Sequence, residues 1–302
     1  MDEAKLISEA RDARAAMSKR SARGYSIVRG VFVQLPDGTK RGSSVGVLVR
    51  DRRPRAVVLY LLLLGCWPWL KDERVPLPAI VWIRMLRSAT GKTWSESTLS
   101  RTWTYLEELG LIEKRIYEKG GVRVVPRNED RESPYEIPAG QKELTDAYFL
   151  LPDAFWLDEH FASLGSPGIA LLLILLKETG KKREMRMTLD EGARWYGLTR
   201  TFVQDGLAEL DELGVLSERT EWVSAPLAKV TKTAHKWYSL TEPYSTDARN
   251  GLRVAARTAR SKKKVATKFT EETTIESLLA SAVAPKSTAA AAPTTPGAQG
   301  QP

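Results

Sequence analysis

The sequence predicts a mainly α protein with small β-wings, an α+β fold in which one plan is used twice and a disordered tail follows. Three observations carry this. The segment WSESTLSRTWTYLEELGLIEKR, starting at Trp94, is matched 104 residues on by LTRTFVQDGLAELDELGVLSER, starting at Leu198. Each match holds a helix cap, an apolar stripe at helical spacing and a Gly that stops the helix, followed by a short strand-like run. Thr270–Val283 has room for a short helix, and Ser281–Pro302 turns to Ala, Pro, Thr and Gly and carries nothing from which a core could be built.

The length of 302 residues allows about two domains, and an apolar share of 42% is enough to fold them. The single cysteine, Cys66, rules out a disulfide framework and a four-cysteine metal site. The two histidines, His160 and His235, lie 75 residues apart, which leaves little for zinc. The opening MDEAKLISEARDARAAMSKR alternates in charge and is not a secretory signal. Ala56–Leu70 and Phe161–Leu176 are uncharged but shorter than the roughly 20 residues that span a bilayer. They are read as buried helices of a cytoplasmic protein without a membrane role.

In chain order, residues 1–20 form an N-terminal helical or flexible segment. Residues 21–127 form a first domain, basic with a net charge of +10; residues 128–146 are a linker; residues 147–248 form a second domain within an acidic stretch. Residues 249–302 are a basic arm and then a disordered tail. Each domain is expected to open on an apolar run ending in Leu-Pro-Asp, Val31–Asp37 in the first and Ala147–Asp153 in the second. An apolar helix follows, Ala56–Leu64 and Ile169–Leu176.

In the second domain, Thr188-Leu-Asp-Glu191 reads as a capping box, with Glu three residues after the Thr cap. Gly197 permits a sharp turn, and Thr199 caps a helix whose buried stripe is Val203, Leu207, Leu210 and Leu213. Two short helices about a Gly-containing turn are a helix-turn-helix signature. Val215-Leu216 and Trp237–Leu240 read as strands joined by a long wing. In the first domain Pro78–Arg87 is the supporting helix and Ser95 caps the next. Leu99, Trp103, Leu106 and Leu109 make its stripe, and Gly110 ends it. Leu111–Tyr117 and Val122–Pro126 are the expected strands of its wing.

The run Ser95, Thr98, Leu99, Ser100, Arg101, then Tyr105-Leu-Glu-Glu-Leu-Gly-Leu-Ile-Glu-Lys114, resembles the recognition helix and first wing strand of bacterial winged helix-turn-helix regulators. The groups of the multiple-antibiotic-resistance regulator and of GntR type are among these. The duplicated plan with its Leu-Pro-Asp openings is similar to tandem winged-helix plasmid replication initiators. No effector-binding domain of the GntR type follows. The resemblance implies two winged helix-turn-helix domains and double-stranded DNA as the partner, with a homodimer compatible with the plan.

A helix fits the major groove, and its outward N-terminal residues reach base edges. The candidates for base contact are Ser97, Thr98, Arg101 and Thr102 in the first domain and Arg200, Thr201 and Gln204 in the second. Candidates for the DNA backbone are Lys92, Arg52, Arg53 and Arg55, with Lys114, Arg115, Lys119 and Arg123 in the first wing and Lys229 and Lys232 in the second. The basic arm, Arg249–Lys268, offers Arg253, Arg257, Arg260, Lys262, Lys263 and Lys264 to phosphates. In the second domain Asp205 stands at the position of Arg101, an anion facing a phosphate-lined groove.

Enzyme chemistry finds no support. Thr90-Gly-Lys-Thr93 lacks the glycine that a phosphate-binding loop needs five residues before Gly91, where Leu86 stands. Glu129, Asp130, Glu132 and Glu136 read as a solvated linker. No catalytic residue, metal or cofactor is expected. The reading is a sequence-specific double-stranded DNA-binding protein acting as a transcriptional regulator. The alternatives are a plasmid or phage replication initiator that recognises origin repeats, and a winged-helix interaction or scaffold protein.

Overall fold

The computed structural model describes residues 2–36, 43–73, 76–140, 145–224, 226–227 and 231–262. Lys229, Lys263, Lys264 and the Ala/Pro/Thr-rich tail lie outside the described residues. The chain forms two compact units, Met1–Ala256 and Arg257–Pro302. The fold is mixed α+β with small sheets.

The chain opens with α1 (Glu3–Ser21), whose first turn is capped by the Asp2 side chain. Strand β1 (Tyr25–Arg29) follows, then a 3₁₀ turn at Gly30–Phe32 and helices α2 (Ser44–Arg50) and α3 (Pro54–Glu73). Next come α4 (Ala79–Leu86), α5 (Glu96–Glu108) and the hairpin β2 (Ile116–Glu118) and β3 (Gly121–Arg123). The plan then starts again with β4 (Tyr148–Pro152), the short helices α6 (Ala154–Leu157) and α7 (His160–Ser163), and α8 (Ser166–Glu178). It continues with β5 (Met185–Arg186), α9 (Leu189–Tyr196), α10 (Arg200–Glu212), β6 (Leu216–Ser224) and β7 (Lys232–Leu240). A last helix covers 246–262.

The two halves meet in a sheet. β1 pairs antiparallel with β4, Tyr25 opposite Pro152 and Arg29 opposite Tyr148. Equivalent strands of the two halves therefore face each other about a local two-fold through Ile27 and Leu150. This pairing corrects the alignment through Leu-Pro-Asp. Tyr25–Phe32 matches Tyr148–Phe155, a strand that runs into a helical turn in both halves. Val31–Val33 lies instead in and just after the 3₁₀ turn, buried, and Asp37 lies outside the described residues. The two segments share letters and differ in structural role.

The apolar helices lie within the core. In α3, Leu59–Leu64 is buried on every side, as its unbroken apolar sequence requires. Ile169–Leu176 of α8 is buried likewise. α10 crosses α8 at a glycine: a Cβ on Gly206 would lie 2.6 Å from the Pro167 carbonyl oxygen. No helix among the described residues is long and apolar enough to cross a membrane.

Buried arginines tie the elements together. The α1 side chain Arg14 is fully buried. It donates to the carbonyls of Met85 and Arg87 at the end of α4 and to Glu159 at 2.6 Å. These contacts make α1 an integral strut against both halves. Ser18 adds a hydrogen bond to Asp153, and Ser21 one to the Gly65 carbonyl in α3.

The segment read as a solvated linker is corrected at Glu129, which is completely buried. Its carboxylate accepts from the Arg29 backbone N–H at 2.9 Å and from the Arg29 guanidinium at 3.1 Å. Arg29 also donates to the Glu136 carbonyl and lies over the Tyr135 ring. Burial pushes the Glu129 carboxyl up, and the Arg29 bonds oppose that shift. A charge at this depth is tolerable because its partner is fixed by β1 beside it.

The expected flexible arm is corrected at its start. Residues 246–262 are helical, and Arg249 is buried. Its guanidinium donates to the carbonyls of Leu176 and Thr179 at the end of α8, where the last turn leaves acceptors without helical partners. It is therefore a helix cap and closed to phosphate. Arg253, Arg257, Arg260 and Lys262 lie further along this helix, the last three exposed.

Two consequences are measurable. Glu129→Ala leaves the Arg29 charge buried without its main partner, and urea unfolding is expected to show a loss of about 3 kcal/mol. His160 bonds the Tyr244 hydroxyl at 2.7 Å, and burial holds its pKa below the ordinary value. The unfolded chain thus binds the proton more readily, and this site's contribution is present above pH ~6.5 and lost below it. Urea midpoints at pH 7.5 and 5.5 should fall further on acidification in the parent than in His160→Asn.

Candidate nucleic-acid interface

The sequence of α5 divides it into two faces. Leu99, Trp103 and Leu106 are buried, and Trp103 meets Trp82 of α4 edge to face at 5.3 Å. Ser97, Ser100, Arg101 and Thr104 are exposed, while Thr98 and Thr102 sit at the half-buried margin. Ser95 caps the helix by accepting from the Thr98 N–H, and its hydroxyl also bonds the Ser97 and Thr98 hydroxyls.

Beside this face opens a cleft of about 330 Å³ lined by Arg52, Arg53, Arg55, Lys92, Thr98, Arg101, Thr102 and Tyr105, with Pro54 and Ala56 at its floor. Seven of these were nominated from the sequence. They come from three separate stretches of chain: the α2–α3 corner, the turn before α5, and α5 itself. Five of them carry positive charge. Among the described residues, Arg52, Lys92 and Arg101 have no carboxylate partner.

The other cations of the cleft are held in position. Arg53 lies over the Tyr105 ring at 4.7 Å, and the Tyr105 hydroxyl donates to Asp51 at 2.8 Å. Arg55 donates to the Thr93 carbonyl and lies over Trp94 at 5.7 Å. The Tyr105 bond holds the Asp51 carboxyl below its ordinary range. Burial and that same bond push the Tyr105 hydroxyl up to about 12. Sequence reading missed this Tyr105–Asp51–Arg53 cluster, because Asp51 and Tyr105 meet only when α5 packs against α3 and the corner before it.

Arg52 itself has a left-handed backbone, φ 53°. The corner is a Schellman turn: the Arg53 N–H bonds the Leu48 carbonyl and the Arg52 N–H bonds the Val49 carbonyl. Glycine is the usual residue at this position. An arginine here accepts backbone strain and sets a cation at the mouth of the cleft.

The first hairpin differs from expectation. The regular ladder covers β2 and β3, and the bases of the two arms meet again at the Ile112–Pro126 bridge, where the Glu113 N–H bonds the Val125 carbonyl; Leu111, Ile112 and Val124 are buried there. Lys114 and Lys119 are exposed. Arg123 faces Glu118 at 3.3 Å. Arg115 is not a free wing cation. It folds back on α5, bonding Glu107 at 2.9 Å, the Ser100 carbonyl and the Thr104 hydroxyl.

The second half forms its local elements as the sequence indicates. The Thr188–Glu191 capping box is present, Gly197 turns with φ 67°, and Thr199 caps α10. Thr201, Gln204 and Asp205 are exposed. Five of its cations, however, meet carboxylates. Arg200 pairs with Asp190 at 3.1 Å, Arg183 with Asp247, Arg186 with Glu191, Arg219 with Glu184 and Lys236 with Glu218. Lys232 is exposed at the start of β7. The two halves share a plan and differ in charge: the first gathers five cations at one cleft, whereas in the second Arg200, at the start of α10, and four other cations meet carboxylates, and Lys181, Lys182, Arg194 and Lys232 are exposed without one among the described residues.

Among the described residues no group of His, Cys, Asp and Glu is arranged to hold a metal ion. Cys66 is buried, and burial pushes its thiol up, away from the reactive thiolate. No family model matches the chain, and the searches of curated proteins and of solved structures find no match.

The strained corner gives a direct test. Arg52→Gly relieves the left-handed strain and is expected to raise stability by up to about 1 kcal/mol in urea unfolding.

Proposed function

We propose that the chain is a sequence-specific double-stranded DNA-binding protein with two winged helix-turn-helix domains, in which the first reads the base sequence. The observation that carries this reading is the convergence of Arg52, Arg53, Arg55, Lys92 and Arg101 on one cleft beside the exposed face of α5. Each half has the same order: helix, short strand or bridge, helix, turn, helix and hairpin.

In this mechanism the N-terminal half of α5 enters the major groove. Arg101 donates to a guanine edge, and Ser97, Thr98 and Thr102 contact neighbouring bases or phosphates. Lys92, Arg52, Arg53 and Arg55 hold the flanking backbone, and Lys114 and Lys119 reach phosphates from the hairpin. The paired charges on α10 suit that helix to orientation or protein contact more than to base reading.

Transcriptional control is the biological output proposed. Origin recognition is the second reading, favoured by the β1–β4 sheet, which joins the two halves and would fix the spacing of two contacts on repeated sites.

The test is selection from a random duplex pool, followed by anisotropy at about 150 mM salt. A site bound at least about 1,000-fold more tightly than scrambled DNA is expected. Arg101→Ala should lose roughly 1–3 kcal/mol of discrimination at one base position, and Lys92→Ala should weaken all sequences alike and lower the salt slope by about one. Arg200→Ala should change affinity much less than either. Equally weak binding to every sequence, abolished by salt, would make the cleft a basic surface for a protein partner and overturn this reading.

A further inference from the structure

The hairpin of β6 and β7 is long, and its outer part stands free. Its nine-residue strands pair from Leu216 opposite Leu240 to Ser224 opposite Lys232. β5 covers only the inner end of β7, and the strand order β5-β7-β6 leaves β6 at the edge of the sheet. Every residue of β6 after Leu216 is exposed. Trp222, near the outer end of the strand, is 65% exposed. A long, unbulged edge strand with exposed apolar residues is a template for a further strand.

The ladder settles which backbone groups the edge offers. The Thr241 N–H bonds the Val215 carbonyl, so Val215 and Thr241 form a hydrogen-bonded pair. Antiparallel ladders alternate, so residues 217, 219, 221 and 223 bond toward β7. Residues 218, 220 and 222 therefore turn their N–H and C=O groups outward. None of the described residues pairs with them.

We infer that β6 pairs antiparallel with β6 of a second copy of this chain, about a two-fold axis at Thr220. Charge selects the register. Centred on Thr220, Arg219, which also pairs with Glu184 of its own chain, lies opposite Glu221 of the second copy, and Glu221, which also accepts from Trp237 Nε1, lies opposite its Arg219. Moving the centre by one residue sets Arg219 against itself, or Glu221 against itself, and like charges directly opposite are destabilising. A centre at Glu218 sets that carboxylate against itself. Thr220 is also the midpoint of β6, so this register overlaps the whole strand. It matches outward residues with outward residues: Thr220 with Thr220, and Glu218 with Trp222. The result is a sheet continuous across both copies with the same patch on each, as a two-fold contact requires. The inference is independent of DNA binding.

The experiment uses the full chain without DNA. Sedimentation velocity at about 50 µM is expected to show a dimer that dissociates on dilution, as a contact of one strand pair implies. Thr220→Pro removes an outward N–H and no bond to β7, and proline is tolerated at such an edge. It should be monomeric at that concentration, with an unchanged melting temperature. Thr220→Cys should form a disulfide-linked dimer on mild oxidation, since hydrogen-bonded partners lie about 5.5 Å apart at Cα, within disulfide reach. Val223→Cys should not, because its two copies would be about 20 Å apart. Cys66 is buried and does not compete. A parent that stays monomeric, a dimer that survives in folded Thr220→Pro, or cross-linking of Val223→Cys as readily as Thr220→Cys would overturn the inference. If Thr220→Pro fails to fold, the two cysteine variants decide it.

Discussion

The pairing of Tyr25–Arg29 with Tyr148–Pro152 is the constraint on which the rest of the molecule depends. It sets equivalent strands of the two halves side by side and brings the start of each half to the centre of the chain's core. α3 packs under β1 and α8 against β4, so the two most apolar helices are buried by a sheet that neither half could build alone. Arg29, at the end of β1, carries its charge inward, and Glu129 is buried to meet it. Arg14 spans from the end of α4 to Glu159 and braces the same junction. The repeat is thus one body with internal symmetry.

These buried arginines change the meaning of the charge map. A net charge of +10 over residues 21–127 counts Arg29, which is closed to solvent, and Arg115, which is mostly spent on α5. Arg14 and Arg249 do comparable internal work, saturating the carbonyls that helix ends leave over. Charge available to a partner is set by which cations lack a carboxylate nearby. Among the described residues, Arg52, Lys92 and Arg101 have no carboxylate partner at one cleft beside α5, while Arg200, at the corresponding end of α10, is matched by Asp190. The asymmetry between two copies of one plan supports assigning them different tasks.

Much of the fold was legible in the sequence where the cause is local. The caps at Ser95, Thr188 and Thr199, the turn at Gly197 and the buried stripes of α5 and α10 stand at the residues that sequence reasoning chose. Local hydrogen bonds and side-chain periodicity fix them. Contacts between distant residues were not legible. Glu129 reads as a linker residue until Arg29, 100 positions earlier, is known to reach it. The Leu-Pro-Asp match misled because it follows letters, whereas strand pairing follows the tyrosine and phenylalanine that bracket each strand. Arg115 reads as a wing cation because its partners, Ser100, Thr104 and Glu107, face it only after the chain turns at Gly110. At the cleft, sequence supplied the cations but not Asp51 and Tyr105, which fix the position of Arg53.

The central claim is that the cleft beside α5, and not the matching surface of α10, is where DNA binds. Amide hydrogen exchange of the full chain, with and without a duplex carrying the selected site, tests it most directly. Protection on DNA binding confined to residues 50–56, 92–105 and the 114–123 hairpin, with 199–212 unchanged, is the result predicted. Protection centred on 199–212, with the first half unaffected, would contradict it.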